Sequence, residues 1–175
     1  SCIFVKIPCM ILIYAPKATN RLKYTAAVLF GDLLGVSSRV SSNEKEFLNH
    51  SGPRLTYGVA PLSDKELFIE SSGLLMEQGI RDLNPAVLQH EGLPLLFPMT
   101  AERAALPFDV FSAVFFLLSR YEEYLPYRRD RFGRFEATES MAFRHGFLDI
   151  PVVDHYALLL RDEVLKIFPE AVFPE

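Results

Sequence analysis

The 175-residue sequence lacks the features that mark several large classes of protein. It contains no tryptophan, so a common aromatic platform for stacking on sugars is missing. Its two cysteines, Cys2 and Cys9, both lie in the first nine residues and therefore cannot cross-link the body of a domain. The sequence does not predict a disulfide-dependent fold, which permits a reducing compartment.

Long apolar runs and an excess of positive charge are also absent. No apolar run reaches the roughly 18 residues of a membrane-spanning helix, and Cys2–Tyr14 has no basic leader and no small-residue cleavage site. We therefore predict no membrane span and no signal peptide, and a cytoplasmic location if the native chain starts near Met10. The net charge of −4 argues against a nucleic-acid partner, because such binding depends on clustered Lys and Arg.

Motifs for metal, phosphate and nucleophilic chemistry are missing as well. No two of His50, His90, His145 and His155 stand three or four residues apart, the spacing that places two metal ligands on one helix face. No glycine-rich phosphate loop and no G-x-S-x-G turn occurs. Ser71-Ser72-Gly73 follows a predicted strand, but the sequence places no base beside it. We predict that this chain binds no metal and no cofactor.

What is present is the patterning of one α/β domain. Half of the residues are apolar and the length fits a single domain. Apolar runs predict strands, and apolar residues at helical spacing predict helices. The predicted strands cover 11–14, 36–42, 54–60 and 67–71, with weaker candidates at 73–77 and 93–97, and the predicted helices cover 20–34, 43–49, 109–125 and 152–167. These elements indicate a mixed sheet of about five strands flanked by helices, in which 54–60 and 67–71 form either a hairpin or neighbouring strands.

The ends of the chain differ from its body. Met10 stands just before a clear strand pattern, so residues 1–9 are predicted to be an upstream extension of a domain that covers residues 10–169. Residues 170–175 continue a tail rich in proline, phenylalanine and glutamate. They are predicted to be the cut linker to a following domain.

One charged segment stands out at the end of the helix predicted over 109–125. Ionised groups so close to an apolar helix need partners. The groups that we expect to form a structural ion network, which would pin the loop 126–150 onto that helix, are Arg120, Glu122, Glu123, Asp130, Arg134 and Asp154.

A second interpretation makes Glu122 and Glu123 a catalytic carboxylate pair for acid–base chemistry. Adjacent helical residues point about 100° apart, so these two would not converge on one substrate atom. The network is therefore favoured. Arg120 and Glu123 stand at i, i+3 and can pair along a helix, and Arg134 is expected to bind one carboxylate through two hydrogen bonds.

The same part of the sequence resembles a known family. The similar segments are Phe108–Phe111, Ser119–Glu123, Asp130–Phe135, Gly146–Leu148 and Pro151–Asp154. They resemble a signature of Bacteroidetes polysaccharide deacetylase-like proteins, in which a similar region precedes the catalytic domain. The resemblance spans about Met10 to Pro169.

The resemblance implies an N-terminal accessory domain that packs on a C-terminal deacetylase-like domain of the same polypeptide and helps to position or recognise glycan. The hallmarks of that catalytic domain, an Asp pair after a strand and an H-x-x-x-H motif, do not occur in this sequence. A divalent metal is thus expected only in that other domain, and no catalytic residue is carried over. Two alternatives remain: a stand-alone hydrolase that uses the carboxylates near Glu122 and Glu123, and a protein–protein docking module.

Overall fold

A computed structural model describes residues 9–121, Ala142, Gly146 and residues 151–175. Within these residues the fold is mixed α/β. Four parallel strands form one sheet in the order β2-β1-β3-β4, and β5 and β6 form a small antiparallel sheet. The predicted fold class is confirmed, although the strands are divided between two sheets where the sequence predicted one.

The elements follow one another in this order: β1 Met10–Tyr14, α1 Asn20–Ala26, a π-helix Ala27–Leu33, β2 Ser37–Ser41, α2 Glu44–Asn49, β3 Arg54–Gly58, β4 Leu67–Glu70, a 3-10 turn Leu74–Met76, β5 Val87–His90, β6 Leu93–Leu96, α3 Val110–Leu118 and α4 Val152–Ile167. The turn at 74–76 replaces the strand predicted over 73–77. Strand β5 was not predicted.

The central strand β1 buries side chains on both faces of the sheet. Successive strand residues point to opposite faces, so Ile11 and Ile13 join the main core, while Leu12 and Tyr14 pack with Phe47 of α2. Coverage on both faces explains why β1 is a continuous apolar run without polar alternation.

The helix predicted over 20–34 forms as α1, Asn20–Ala26, followed directly by the π-helix Ala27–Leu33. The Thr19 side chain accepts a hydrogen bond from the Leu22 amide, which caps α1. The π-helix continues α1 as far as Leu33, and Gly35 then adopts a φ of 70°. A residue without Cβ adopts this left-handed conformation at low cost, so the chain can leave the helix and enter β2.

Strands β3 and β4 are parallel neighbours, with Leu55 opposite Leu67. The hairpin alternative is therefore wrong. The hairpin in the described residues lies between β5 and β6, where Glu91 and Gly92 have φ values of 50° and 80°. A two-residue turn with positive φ at both residues has a backbone twist that matches the twist of the two flanking strands.

Helix α3 is shorter than the sequence predicts. It ends at Leu118 and not at residue 125, and Arg120 has a φ of 53°. The next residue, Tyr121, is fully buried, and its hydroxyl lies 2.8 Å from the Arg81 amide and 3.1 Å from the Arg81 carbonyl oxygen. The left-handed residue redirects the chain out of the helical path just before Tyr121 enters the core.

Aromatic rings join the layers of the core. The Tyr57 ring on β3 lies 5.0 Å from the Phe111 ring on α3, and the Phe108 ring lies 4.8 Å from the Tyr156 ring on α4. Tilted ring pairs at these separations are favourable beyond their buried area. The residues after α4 also contact the body of the domain: Phe168 and Ala171 are buried.

Candidate functional site

The order in which the chain adds strands to the parallel sheet reverses between β1 and β3. The chain leaves β1 for β2 on one side, whereas β3 and β4 lie on the other side. Ligands of open parallel sheets bind outside the strand ends at such a point. Pro16, just after β1, approaches Gly58 at the end of β3: a Cβ on Gly58 would lie 3.7 Å from Pro16 Cδ.

A groove of about 530 Å³ lies beside the end of β1. One wall is formed by Lys17–Arg21, which lead into α1, and the other by Met76–Gly79, which follow the 3-10 turn. We call this feature the β1 groove. Lys17, Asn20 and Gln78 are exposed, and Met76 is half-buried. The groove therefore offers hydrogen-bonding groups together with some apolar surface.

Hydrogen bonds hold the two walls of the β1 groove together. Thr19 Oγ1 donates to the Leu75 carbonyl oxygen over 2.6 Å. Arg21 Nη1 donates to the Leu74 carbonyl oxygen over 2.9 Å, and Arg21 Nη2 donates to the carbonyl oxygen of Gly79. The Arg21 guanidinium also lies 5.0 Å above the ring of Phe115, a favourable cation–π contact.

An ion pair fixes the outer end of the second wall. Arg81 Nε lies 2.9 Å from Oε1 and 2.8 Å from Oε2 of Glu77. The pKa of Arg81 is raised, and the main cause is this hydrogen bonding to Glu77. Since the Arg81 backbone also contacts the buried Tyr121 hydroxyl, the wall is attached to the core.

A second polar cluster lies inside the protein, between β3, β4 and α3. Asp109 Oδ2 accepts hydrogen bonds from the Tyr57 hydroxyl at 2.7 Å, the Ser72 amide at 2.7 Å and the Ser112 hydroxyl at 2.6 Å. Oδ1 accepts from the Ser112 amide at 3.0 Å, which caps α3. Ser72 Oγ donates to Ser112 Oγ over 3.0 Å.

Burial governs the protonation of this cluster. It raises the pKa of Asp109, and the hydrogen bonds from Ser112, Ser72 and Tyr57 lower that pKa in part. Burial and the nearby Asp109 charge raise the pKa of Tyr57 well above its ordinary value. Asp109, Tyr57 and Ser112 have no exposed surface, so a ligand in solvent does not reach them. The cluster joins strand, turn and helix.

The sequence identified parts of this cluster without showing that they meet. It placed Asp109 at the start of a predicted helix and singled out Ser71-Ser72-Gly73, for which it gave no partner. Ser72 and Asp109 are 37 positions apart, and Tyr57 and Asp109 are 52 apart. No local pattern in a sequence indicates contacts over such separations.

The structure describes two of the six residues of the predicted ion network. Arg120 and Asp154 are both exposed. Glu122, Glu123, Asp130 and Arg134 lie outside the described residues. The sequence predicted that Arg120 and Glu123 pair along one helix. Arg120 has a φ of 53° and therefore does not have the helical backbone that this pairing needs. The network and the catalytic pair both stay predictions.

The described part of the chain contains neither a cluster of metal ligands nor a membrane-spanning helix. Among residues 9–121, 142, 146 and 151–175, no group of three or more His, Cys, Asp or Glu side chains is placed to hold a metal ion. Over the same residues, no helix is both long and apolar enough to cross a membrane.

Comparison with known proteins identifies a family without an assigned activity. Residues 11–169 match the profile described as a family of unknown function (DUF7033). This match covers nearly the whole chain, so the chain belongs to that family. Comparison with the curated proteins and with the solved structures gives no match.

Proposed function

We propose that this chain, a member of a family of unknown function, is a non-catalytic accessory domain of a polysaccharide deacetylase-like protein. It packs on a deacetylase-like domain of the same polypeptide and helps to position or recognise glycan. The divalent metal and the catalytic residues belong to that second domain.

The buried position of Asp109 is the observation that carries this proposal. Asp109 lies in the segment Phe108–Phe111, which belongs to the part of the chain, residues 108–154, where the resemblance to deacetylase-like proteins is more specific than elsewhere. Its carboxylate has no exposed surface and binds groups of β3, α3 and the turn after β4. An acid that takes part in hydrolysis must reach its substrate, so this acid has a structural role.

The neighbours of Asp109 in the same segment support this argument. Phe108 packs against Tyr156, and Phe111 packs against Tyr57. Both phenyl rings are fully buried. The side chains that carry the resemblance here therefore belong to the core, which is consistent with a domain that supports catalysis elsewhere.

An acetate-release assay tests the proposal. The 175-residue protein is incubated with an oligomer of N-acetylglucosamine and a divalent metal, and free acetate is measured. We expect a folded protein that releases no acetate above the buffer blank. Release that scales with protein concentration and disappears in Glu122→Gln or Glu123→Gln would support the stand-alone hydrolase instead.

The native gene provides a second test. We expect its reading frame to continue past the codon for Glu175 into a domain with an Asp pair after a strand and an H-x-x-x-H motif. A stop codon directly after Glu175 would contradict the accessory role.

A further inference from the structure

We propose that the β1 groove is a binding site for a neutral, hydroxyl-rich ligand, namely a short segment of N-acetylated glycan. This inference rests on the proposed accessory function and assigns the glycan contact to Lys17–Arg21 and Met76–Gly79. The position of the groove supports it, because one wall of the groove follows the carboxyl end of β1, and ligands of open parallel sheets bind outside the carboxyl ends of the strands.

The size of the β1 groove suits a small ligand. Its volume of about 530 Å³ lies within the range of roughly 300–1,000 Å³ that is usual for such sites. The bonds from Thr19 and Arg21 to Leu74, Leu75 and Gly79 hold the walls at a fixed separation. A ligand therefore enters a preformed site, which lowers the entropic cost of binding.

The side chains of the groove favour a neutral polar ligand. Asn20 and Gln78 carry amides, which both donate and accept hydrogen bonds and so match hydroxyl and N-acetyl groups. Ala18 and Met76 add apolar surface, against which the C–H groups of a sugar ring can pack.

The charges of the groove disfavour an anionic ligand. Arg21 directs its guanidinium into the wall, where it binds two carbonyl oxygens and stacks on Phe115. Glu77 adds a carboxylate, which Arg81 pairs. Among the lining residues this leaves the Lys17 ammonium as the cation that is not bound into a wall. Phosphate recognition usually uses several donors and charges together, so one ammonium disfavours an anionic ligand.

A titration tests the groove directly. The 175-residue protein is titrated with the tetrasaccharide of N-acetylglucosamine, and binding is followed by calorimetry. The variants are Asn20→Ala and Gln78→Ala, and the matched control is Gln89→Ala, an exposed amide on β5 that does not line the groove. Thermal unfolding of each variant verifies that the fold is intact. Gln78 lies outside helices and strands, so its replacement does not alter a helix or a strand.

We expect Kd to rise about tenfold in each groove variant, as for the loss of one hydrogen bond to a ligand, and to change less than about twofold in the control. Glycan binding that Asn20→Ala and Gln78→Ala leave unchanged would overturn the groove as the site while the accessory function stands. Absence of glycan binding at millimolar concentration, or tighter binding of inorganic phosphate than of the tetrasaccharide, would overturn the ligand class. Failure of the accessory function itself would be seen separately, as acetate release.

Discussion

The hydroxyl of Tyr57 on β3 lies 2.7 Å from Oδ2 of Asp109, and neither side chain has any exposed surface. The bond joins the parallel sheet to the first turn of α3. Because both groups are removed from water, a hydrogen bond that is lost here is not replaced by one to solvent, although Ser72 and Ser112 still donate to Asp109.

Replacement of Tyr57 by Phe tests the strength of this bond. The variant keeps the ring that packs against Phe111 and removes the hydroxyl donor to Asp109. We expect the free energy of unfolding to fall by about 1.5–3 kcal/mol, the range for hydrogen bonds to charged groups. Urea denaturation measures this change. Tyr24→Phe, at an exposed position, is the control and should change stability by less than about 0.5 kcal/mol.

The pH dependence of stability tests the burial of Asp109. Burial raises its pKa from the ordinary value of 3.8, so the folded state keeps the proton to a higher pH than the unfolded chain does. Between these two pKa values the native state binds more protons, and the free energy of unfolding falls as the pH rises. The contribution of Asp109 is therefore complete below pH 3.8 and is lost as the pH rises through the raised pKa.

The measurement compares the wild-type protein with Asp109→Asn from about pH 3 to 8, because other carboxyl groups cancel in the difference. We expect the stability of the wild type relative to the variant to decrease with rising pH. A relative stability that increases with pH would mean that the hydrogen bonds outweigh burial and that the pKa is lowered.

Tyr156 joins α4 to the small sheet, and its removal should loosen this contact. Its hydroxyl donates to the Pro94 carbonyl oxygen over 2.5 Å and accepts from the Leu96 amide over 3.3 Å. Tyr156→Phe should lower the free energy of unfolding by about 1–3 kcal/mol, since two buried backbone groups lose their partner. Urea denaturation measures the effect, and an unchanged midpoint would contradict it. Leu158→Ala, at an exposed position of the same helix, provides the comparison.

Gly35→Ala should destabilise the protein for two separate reasons. Gly35 has a φ of 70°, and an added Cβ would lie 2.5 Å from Pro174 Cγ. We expect a loss of more than about 1 kcal/mol by thermal or urea unfolding. Gly31→Ala is the matched control: no atom lies within 4 Å of its added Cβ, and we expect a neutral or stabilising effect of up to about 1 kcal/mol.

The double variant Gly35→Ala with Pro174→Ala separates the two causes. It should recover the part of the loss that comes from the close approach and leave the part that comes from the backbone. No recovery would show that the backbone conformation alone accounts for the cost.

Elements with strong local signals could be predicted from the sequence. Thr19, Asn43 and Asp109 are residue types that favour helix caps, and each stands directly before a helix and accepts an amide hydrogen bond from it. Strand β5 was missed because residues 79–107 contain several prolines. Pro94 is accommodated because β6 is an edge strand of a two-stranded sheet, where a residue without an N–H is tolerated. Its carbonyl oxygen accepts a hydrogen bond from Tyr156.

The β1 groove could not be predicted, for a different reason. Lys17, Asn20 and Gln78 are ordinary surface residues in the sequence, and only the fold brings positions near 20 and 78 together. The sequence instead drew attention to the charged residues around Arg120, because charge next to an apolar helix is visible locally.

The parallel arrangement of the main sheet has a consequence for how the protein folds. Every strand pair in that sheet joins segments that a connecting stretch of chain must first bring side by side, and none can form as a simple local hairpin. Such non-local pairing slows folding. The Tyr156 contact with β6 and the approach of Pro174 to Gly35 likewise join segments that are far apart in the sequence.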